Sequence, residues 1–198
     1  MRVALFGGSF DPPHRGHLSI AAAAADAFHL DNVLFAPVGR QPLKRHHTAP
    51  FADRLAMLSL ACLQDPRFAV SDLDAPHPDG TPNFTVQTLA ALQHLMPQAT
   101  LFSLAGADSF LTLPQWHQSE RLLELAEWIV VSRPRFHLDD LSPLQLTPHQ
   151  KARVDLLNDV NEDVAATDLR QRLEAGDPCT DLLSPAVSEY IRTHNLYR

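Results

Sequence analysis

The sequence predicts an α/β fold built on a Rossmann-like parallel sheet, with helices on both faces and a small helical C-terminal end. Short apolar runs of strand length alternate with longer runs of helical periodicity, which is typical of βαβ units. A glycine-rich turn follows the first apolar run and opens a helix, as in nucleotide-binding α/β proteins. The 198 residues, 45% of them hydrophobic, are predicted to form a single domain, residues 1–198, with its helical C-terminal part at about 165–198.

The first half of the chain predicts strands and helices in strict alternation. Each predicted strand is a short apolar run, and each predicted helix is rich in alanine or carries an apolar stripe. In chain order these elements are a strand at Val3–Phe6, a helix at Leu18–Phe28, a strand at Asn32–Pro37, a helix at Phe51–Leu63, a strand at Phe68–Leu73 and a helix at Thr85–Leu95. A loop rich in Pro, Asp, Gly and His, residues 75–83, precedes the last helix.

The second half continues the alternation with one interruption. The predicted elements are a strand at Thr100–Ala105, a turn with a short helix at Gly106–Pro114, a helix at Gln118–Glu127 and a strand at Trp128–Pro134. Residues 135–163 have scattered prolines and weak periodicity, which leaves open a surface excursion or a short strand near Val154–Leu157. A helix near Thr167 stops at Gly176, and a last helix has Ser184 as N-cap, Pro185 in its first turn and Asn195 as its stop.

Composition limits the classes of partner. The formal net charge of −7 disfavours a general nucleic-acid binder, because tracking a phosphate backbone needs a basic excess. The longest nearly apolar run, Leu18–Ala25, is shorter than the ~20 residues of a membrane span, and the N-terminal run, Val3–Phe6, is shorter than the apolar core of a signal peptide. We therefore expect a cytoplasmic protein with no membrane partner, which would hold any phosphate ligand locally.

The stretch GGSFDPPHRGH, from Gly7 to His17, joins the first predicted strand to the following helix. It matches neither the G-x-G-x-x-G fingerprint nor the G-x-x-x-x-G-K-[ST] phosphate loop. Ligands of parallel sheets lie beyond the carboxyl ends of the strands, and helix N-termini attract anions. If the helix starts near Pro13, His14 and His17 project from one side of its first turn. Gly16 would let a phosphate or sugar approach the backbone closely.

The spacing alone leaves two interpretations of this histidine pair equally open. The two imidazoles either bind a phosphate or have a purely structural role. Zinc is disfavoured, because it would normally take more ligands and prefers the i, i+4 spacing of the helical H-E-x-x-H motif. No cluster of Cys or Glu stands near the pair in the sequence. We therefore predict no dedicated metal site.

The longer motif GGSFDPPHRGHL resembles the H-x-G-H signature of the nucleotidyltransferase superfamily, in the form found in bacterial nicotinate-nucleotide adenylyltransferases. Further similar segments follow in order over almost the whole chain: PNFTVQTL (82–89), AGADSFLTLPQWH (105–117), SRP (132–134), ATDLRQRL (166–173) and the tail YIRTHNLYR (190–198). The family makes nicotinate adenine dinucleotide from nicotinate mononucleotide and ATP in NAD synthesis and releases pyrophosphate. The resemblance implies the same fold, substrates and reaction here.

The resemblance also implies roles for individual residues. His14 and His17 would hydrogen-bond the ATP phosphates during a direct in-line attack, with no protein nucleophile, and Mg²⁺ would arrive with the ATP. The remaining ATP-binding residues would be Gly7, Gly8, Ser9, Phe10, Gly16, Lys44, Gly106, Asp108, Arg133, Thr167 and Arg170. The nicotinate nucleotide would contact Thr85, Asp108 and Trp116, with the indole stacked on the pyridine ring.

Two departures from the family pattern keep other interpretations open. Leu43 stands where the family often has a histidine before the lysine, and Ala165 stands where it usually has a serine. A non-catalytic nucleotide sensor on the same scaffold is one alternative. A related nucleotidyltransferase that uses nicotinamide mononucleotide or phosphopantetheine is another. The sequence also leaves open whether the chain forms a homo-oligomer.

Several of the implied site residues have ordinary structural interpretations as well. Thr85 fits a helix cap, Asp108 a turn, and Trp116 a half-buried position in the core. Lys44 fits a solvated basic loop, and Arg133 fits the exit of a strand. Only the resemblance favours their functional roles.

Overall fold

The computed structural model describes residues 1–42, 49–132, 141–158, 160 and 164–198. Within these residues, six strands form one parallel sheet: β1 (Arg2–Gly8), β2 (Asn32–Pro37), β3 (Phe68–Val70), β4 (Thr100–Gly106), β5 (Glu127–Val131) and β6 (Val154–Leu157). Their order across the sheet is β3-β2-β1-β4-β5-β6. The chain therefore reverses its direction of travel between β1 and β4, where doubly wound sheets bind their ligands.

Helices connect the strands and complete the C-terminal end. They are α1 (Arg15–Ala27), α2 (Phe51–Cys62), α3 (Thr85–Leu95), α4 (Ala107–Phe110), α5 (Ser119–Leu125), α6 (Pro148–Lys151), α7 (Ala166–Glu174) and α8 (Pro185–Thr193), with short 3-10 helices at Leu113–Gln115 and Ser142–Leu144. None of the described helices has the length and apolar character needed to cross a membrane.

The sheet is covered on both faces, as predicted. Alternate residues of β1 point to opposite faces because side chains along a strand alternate. Val3 and Leu5 belong to a core cluster that includes residues of α3 and α5. Ala4 and Phe6 belong to a second cluster with residues of α1 and α2. Both clusters are almost fully buried, so burial of apolar surface fixes the sheet between its helices.

The C-terminal end packs against α2. Met57 and Ala61 on α2 form a third buried cluster with Leu169 of α7, Val187 of α8 and Tyr197 in the segment after α8. This cluster brings the end of the chain next to the loop that follows β1, an arrangement that local sequence patterns did not predict.

Helix α1 begins at Arg15, two residues after Pro13 and ahead of Leu18, where the alanine-rich run begins. His14 has extended backbone angles (φ −143°, ψ 169°) and is the N-cap of the helix. The amide of Arg15 donates to the carbonyl of Leu182 at 2.8 Å, so a contact with the C-terminal end fixes where the helix starts.

Strand β3 ends at Val70 rather than at Leu73. The Ser71 side chain accepts a hydrogen bond from the Leu73 amide at 3.2 Å, which turns the chain away from the sheet. The open prediction for residues 154–157 resolves to a strand, β6, which pairs with β5.

Helix α5 is shorter at both ends than predicted. Gln118 has a left-handed backbone (φ 54°), so the helix begins after it. Glu127 pairs with Phe102 as the first residue of β5, so the chain has already entered the sheet there. Strand β5 ends at Val131, and residues 133–134 of the predicted strand lie outside the described residues.

Candidate active site

One cleft of about 700 Å³ opens at the carboxyl ends of β1 and β4. Nearly all of the predicted site residues that the structure describes line it: Gly7, Gly8, Ser9, Phe10, His14, His17, Thr85, Gly106, Asp108, Trp116, Thr167 and Arg170. Gly16 does not line it. Lys44 and Arg133 lie outside the described residues, so their placement stays a prediction.

The loop after β1 holds one buried aromatic ring and one open backbone position. Phe10 is 1% exposed, has a left-handed backbone (φ 48°) and contacts the rings of Phe6 and His17 edge to face. A Cβ at Gly8 would lie 3.1 Å from the Phe10 ring, so this glycine makes room for the phenylalanine. A Cβ at Gly7 would meet no atom within 4 Å, which leaves that backbone open to a ligand in the cleft.

His14 and His17 form a stacked pair on the cleft wall. Their ring centroids are 3.7 Å apart with 27° between the planes. The His14 amide donates to Nδ1 of His17 at 3.2 Å. Because Nδ1 accepts this bond, a neutral His17 carries its proton on Nε2 and offers an N–H donor there. Such a donor suits a phosphate oxygen.

Gly16 supports the pair instead of a ligand. A Cβ at this position would lie 3.2 Å from Nδ1 of His14 and 3.4 Å from a methyl group of Val164. The space that sequence reasoning assigned to a phosphate or sugar is therefore taken by the histidine ring. A glycine therefore stands at this position because a larger residue would crowd the His14 ring, and not because a ligand needs the space.

The start of α7 lines the same cleft as the histidine pair. Arg170 donates to the carbonyl of Asp11 at 2.9 Å and to Oγ1 of Thr167 at 3.3 Å. The N-cap of the helix is Ala165, which has no side-chain acceptor for the first-turn amides. Those amides, the Thr167 hydroxyl and the Arg170 guanidinium together suit an anion.

Trp116 lies in the other half of the cleft. It is half-buried, donates from Nε1 to the Thr112 hydroxyl at 2.9 Å and rests edge to face against the buried Trp128. These contacts fix the plane of an indole that lines the cleft and can stack on a flat ring.

Three other predicted residues border this half of the cleft. Gly106 is the N-cap of α4, and the exposed Asp108 lies in the first turn of that helix. Thr85 is the first residue of α3, whose N-cap is Phe84, so the threonine opens the helix instead of capping it.

Sequence reasoning missed Arg54, a buried charged residue that contacts the loop after β1. Arg54 is 1% exposed and donates to the carbonyls of Ser9 at 2.7 Å, Val38 at 2.8 Å and Ala49 at 3.2 Å. Burial lowers the pKa of Arg54, and the Asp11 carboxylate partly offsets this effect. The guanidinium thus ties the loop after β1 to the loops that follow β2 and precede α2.

Two carboxylates at the cleft were missed as well. Asp11 is 3% exposed, and its Oδ1 accepts from the Tyr197 hydroxyl at 2.7 Å and from the Ala49 amide at 3.1 Å. Asp74 accepts from the Thr88 hydroxyl at 2.9 Å. Burial raises the pKa of Asp74, and the hydrogen bond from Thr88 partly offsets this rise.

The described residues contain no group of three or more His, Cys, Asp or Glu side chains arranged to hold a metal ion. The carboxylates closest to the loop are engaged with protein donors, as Asp11 and Asp74 show.

Comparisons with known proteins agree with this geometry. Residues 5–172 match the model of the cytidylyltransferase-like family. A protein of Roseiflexus sp. strain RS-1 named "Probable nicotinate-nucleotide adenylyltransferase" is 41% identical over 197 residues, covering 99% of this chain and 98% of that protein. A protein of the same name from Thermus thermophilus is 39% identical over 198 residues, which is 100% of both chains.

Solved structures resemble the fold closely. The Plasmodium falciparum nicotinic acid mononucleotide adenylyltransferase complexed with NaAD superposes with a TM-score of 0.80 at 19% identity, over 99% of this chain and 97% of that one. The same enzyme complexed with APC gives a TM-score of 0.78, over 99% and 96% of the two chains. At this level of identity the likeness establishes the fold.

Proposed function

The chain belongs to the cytidylyltransferase-like family, and within it to the nicotinate-nucleotide adenylyltransferases, and from this premise we propose that it transfers the adenylyl group of ATP to nicotinate mononucleotide. The products are nicotinate adenine dinucleotide and pyrophosphate, a step of NAD synthesis. One observation supports the proposal most: the stacked pair of His14 and His17 shares a cleft with the start of α7, to which Arg170 ties the loop.

The reaction needs placement of two anions more than it needs reactive side chains. An oxygen of the mononucleotide phosphate attacks the α-phosphorus of ATP and forms a new P–O bond. The bond from that phosphorus to the bridging oxygen breaks, and pyrophosphate leaves with the electron pair. Positioning the two phosphates in line and stabilising the growing charge supply the rate enhancement. No protein nucleophile takes part.

The histidine pair and the residues at the start of α7 have distinct tasks in this scheme. His17 donates from Nε2 to an α-phosphate oxygen, where negative charge grows in the transition state. His14 stacks on His17, holds it through its amide and binds the neighbouring phosphate. Arg170, Thr167 and the first-turn amides of α7 bind the departing β- and γ-phosphates.

ATP enters as its Mg²⁺ complex, since the described residues provide no cage of their own for the ion. Magnesium keeps much of its water and takes phosphate oxygens readily, which suits an ion carried by the substrate. Lys44 and Arg133 are proposed to add positive charge near the triphosphate, on the strength of the family resemblance alone.

The second half of the cleft suits the pyridine nucleotide. Trp116, held by Thr112 and Trp128, offers its face to the nicotinate ring. Thr85 and Asp108 line the same cleft and are proposed to contact the nicotinate substrate and the nucleotide ribose.

An assay with three acceptors tests the proposal. Purified protein with ATP and Mg²⁺ receives nicotinate mononucleotide, nicotinamide mononucleotide or phosphopantetheine in parallel, and pyrophosphate release is followed. The highest kcat/KM is expected with nicotinate mononucleotide. Release no faster than background with that acceptor would overturn the proposal, and ATP binding without any turnover would indicate a nucleotide sensor instead.

A further inference from the structure

We propose that Tyr197, in the segment that follows α8, is a positioning residue for the ATP half of the cleft and acts through the buried Asp11. The inference rests on the proposed function, because it assigns a role within the same reaction. Tyr197 does not line the cleft, so it acts on ATP only through the residues that it holds in place.

Asp11 connects three separate parts of the chain. Its Oδ1 accepts from the Tyr197 hydroxyl at 2.7 Å and from the Ala49 amide at 3.1 Å. Its main-chain carbonyl accepts from Arg170 at 2.9 Å. Asp11 therefore accepts hydrogen bonds from Tyr197 after α8, from Ala49 before α2 and from the arginine of α7. The loop that contains Asp11 also carries the histidine pair.

The Tyr197 hydroxyl matters because it donates a hydrogen bond to a buried carboxylate. Asp11 is only 3% exposed, and a carboxylate at such a position is costly unless protein donors satisfy it. Burial, together with the neighbouring carboxylate, raises the pKa of Tyr197, so its hydroxyl stays protonated and remains a donor. Without that donor, the free energy of the carboxylate would fall if it turned toward water or another donor. The Asp11 backbone would move with it.

Backbone strain at both ends of this contact indicates that the position is held firmly. Tyr197 has a left-handed backbone (φ 58°), and so does Phe10, the residue before Asp11 (φ 48°). This conformation is costly for an aromatic residue and persists only where surrounding contacts fix it. The tyrosine ring is 7% exposed in the third core cluster, which anchors the hydroxyl from the other side.

The expected consequence is specific to ATP. A displaced Asp11 carbonyl would shift Arg170 and the loop after β1, which hold the triphosphate in this scheme. Trp116 stands on the loop before α5 and Thr85 on α3, and the hydrogen bonds of Asp11 described above involve neither residue. Binding of nicotinate mononucleotide should therefore be nearly unaffected by a change at Tyr197.

Tyr197→Phe removes the hydroxyl and keeps the ring in its core. Tyr190→Phe is a matched control, because the Tyr190 hydroxyl donates to the Asp53 carboxylate at 2.9 Å in the same C-terminal end, and neither of these residues lines the cleft. We expect Tyr197→Phe to lower kcat/KM for ATP about 10-fold, mainly by raising KM, since small misplacements of reacting groups can cost ~100-fold. The KM for nicotinate mononucleotide should stay within about twofold in both variants, and KM for ATP should rise only in Tyr197→Phe.

A purely structural role would look different. It would lower Tm and the amount of active protein, and so kcat, while leaving KM for ATP unchanged. Equal KM values for ATP in Tyr197→Phe and Tyr190→Phe would overturn the inference, whatever their melting temperatures.

Calorimetric titration with the Mg²⁺ complex of a non-cleavable ATP analogue separates this inference from the proposed function. Wild type and Tyr190→Phe should bind with the same Kd, and Tyr197→Phe about 10-fold more weakly, in keeping with the loss in kcat/KM. An unchanged Kd in Tyr197→Phe would overturn the inference even if the wild type releases pyrophosphate. Weakened binding in that variant, together with no turnover by the wild type, would overturn the proposed function alone.

Discussion

His17 is the side chain on which the proposed chemistry depends most. Its Nδ1 accepts the His14 amide, so the N–H of a neutral His17 is on Nε2, where it can donate to a phosphate oxygen. We predict that His17→Ala lowers kcat by well over ~10-fold, because one preorganised donor to a developing anion contributes ~100-fold or more. Tm should change little, since the ring is only half-buried. Steady-state kinetics and thermal melting measure both effects.

His94→Ala is the control for that experiment, because His94 is exposed on α3 and does not line the cleft. It should leave kcat unchanged. An equally unchanged kcat in His17→Ala would assign the histidine pair the structural role that its spacing alone left open.

Asp74 gives a prediction on pH and stability. Burial raises its pKa in the folded protein above the value of the unfolded chain, so folding favours the protonated form. Its contribution to stability is therefore fully present below the unfolded pKa of ~3.9 and is lost as pH rises through the raised folded pKa. Asp74→Asn keeps an acceptor for Thr88 and avoids the buried charge.

We accordingly expect the Tm of Asp74→Asn to exceed that of the wild type at pH 7 to 8, with the difference shrinking as pH falls through the raised pKa of Asp74. Thermal melts across this range measure the difference, and Asp72→Asn, at an exposed neighbour in the same loop, is the control. A difference that grows toward acid pH would contradict the account.

The site residues differ in how far the sequence reveals them. His14 and His17 stand in a local motif, so their meeting needed only the correct helix start. Arg54 gave a weaker signal: it falls three residues after Phe51 on the apolar stripe of α2, where a charge is out of place. Tyr197 gave no local signal, because its partner Asp11 lies 186 residues away.

At the scale of the element, the start of α7 lacks a side-chain cap. Ala165 is the N-cap and has no side-chain oxygen to accept a first-turn amide. Ala165→Ser should add ~0.5–2 kcal/mol to the free energy of unfolding, the usual difference between serine and alanine at an N-cap. Because Ala165 lines the cleft, the new hydroxyl should also lower KM for ATP. Urea unfolding and steady-state kinetics measure the two effects.

Ala175→Ser is the matched control, since Ala175 is the exposed C-cap of the same helix. It should change neither quantity appreciably. A higher KM for ATP in Ala165→Ser would show that the first-turn amides bind phosphate best when no side chain competes for them.

Helices and strands that depend on local periodicity could be predicted from the sequence. The ends that depend on distant contacts could not. Helix α8 has its Ser184 cap as predicted, because the cap is a local hydrogen bond to the Val187 amide. The start of α1 depends on the carbonyl of Leu182, which no window around Arg15 contains. The register of Glu127 with Phe102 likewise ended α5 earlier than its own sequence indicated.

At the scale of the whole molecule, the alternation of strands and helices was enough to predict the doubly wound sheet, and the fold and family predicted from the motifs are confirmed. A cleft at the carboxyl ends of β1 and β4 follows from that topology. The position of α7, α8 and Tyr197 next to the loop after β1 does not, because it depends on tertiary packing against α2. That residues 1–198 form one domain stays a prediction.

The most direct test of the central claim follows the α-phosphorus itself. ATP labelled at that atom is mixed with Mg²⁺, nicotinate mononucleotide and the protein, and the products are separated before and after denaturation. The account predicts that the label leaves ATP only as nicotinate adenine dinucleotide, in equal amount to the pyrophosphate released. Label retained on the denatured protein, or pyrophosphate formed without labelled dinucleotide, would contradict a direct adenylyl transfer in this cleft.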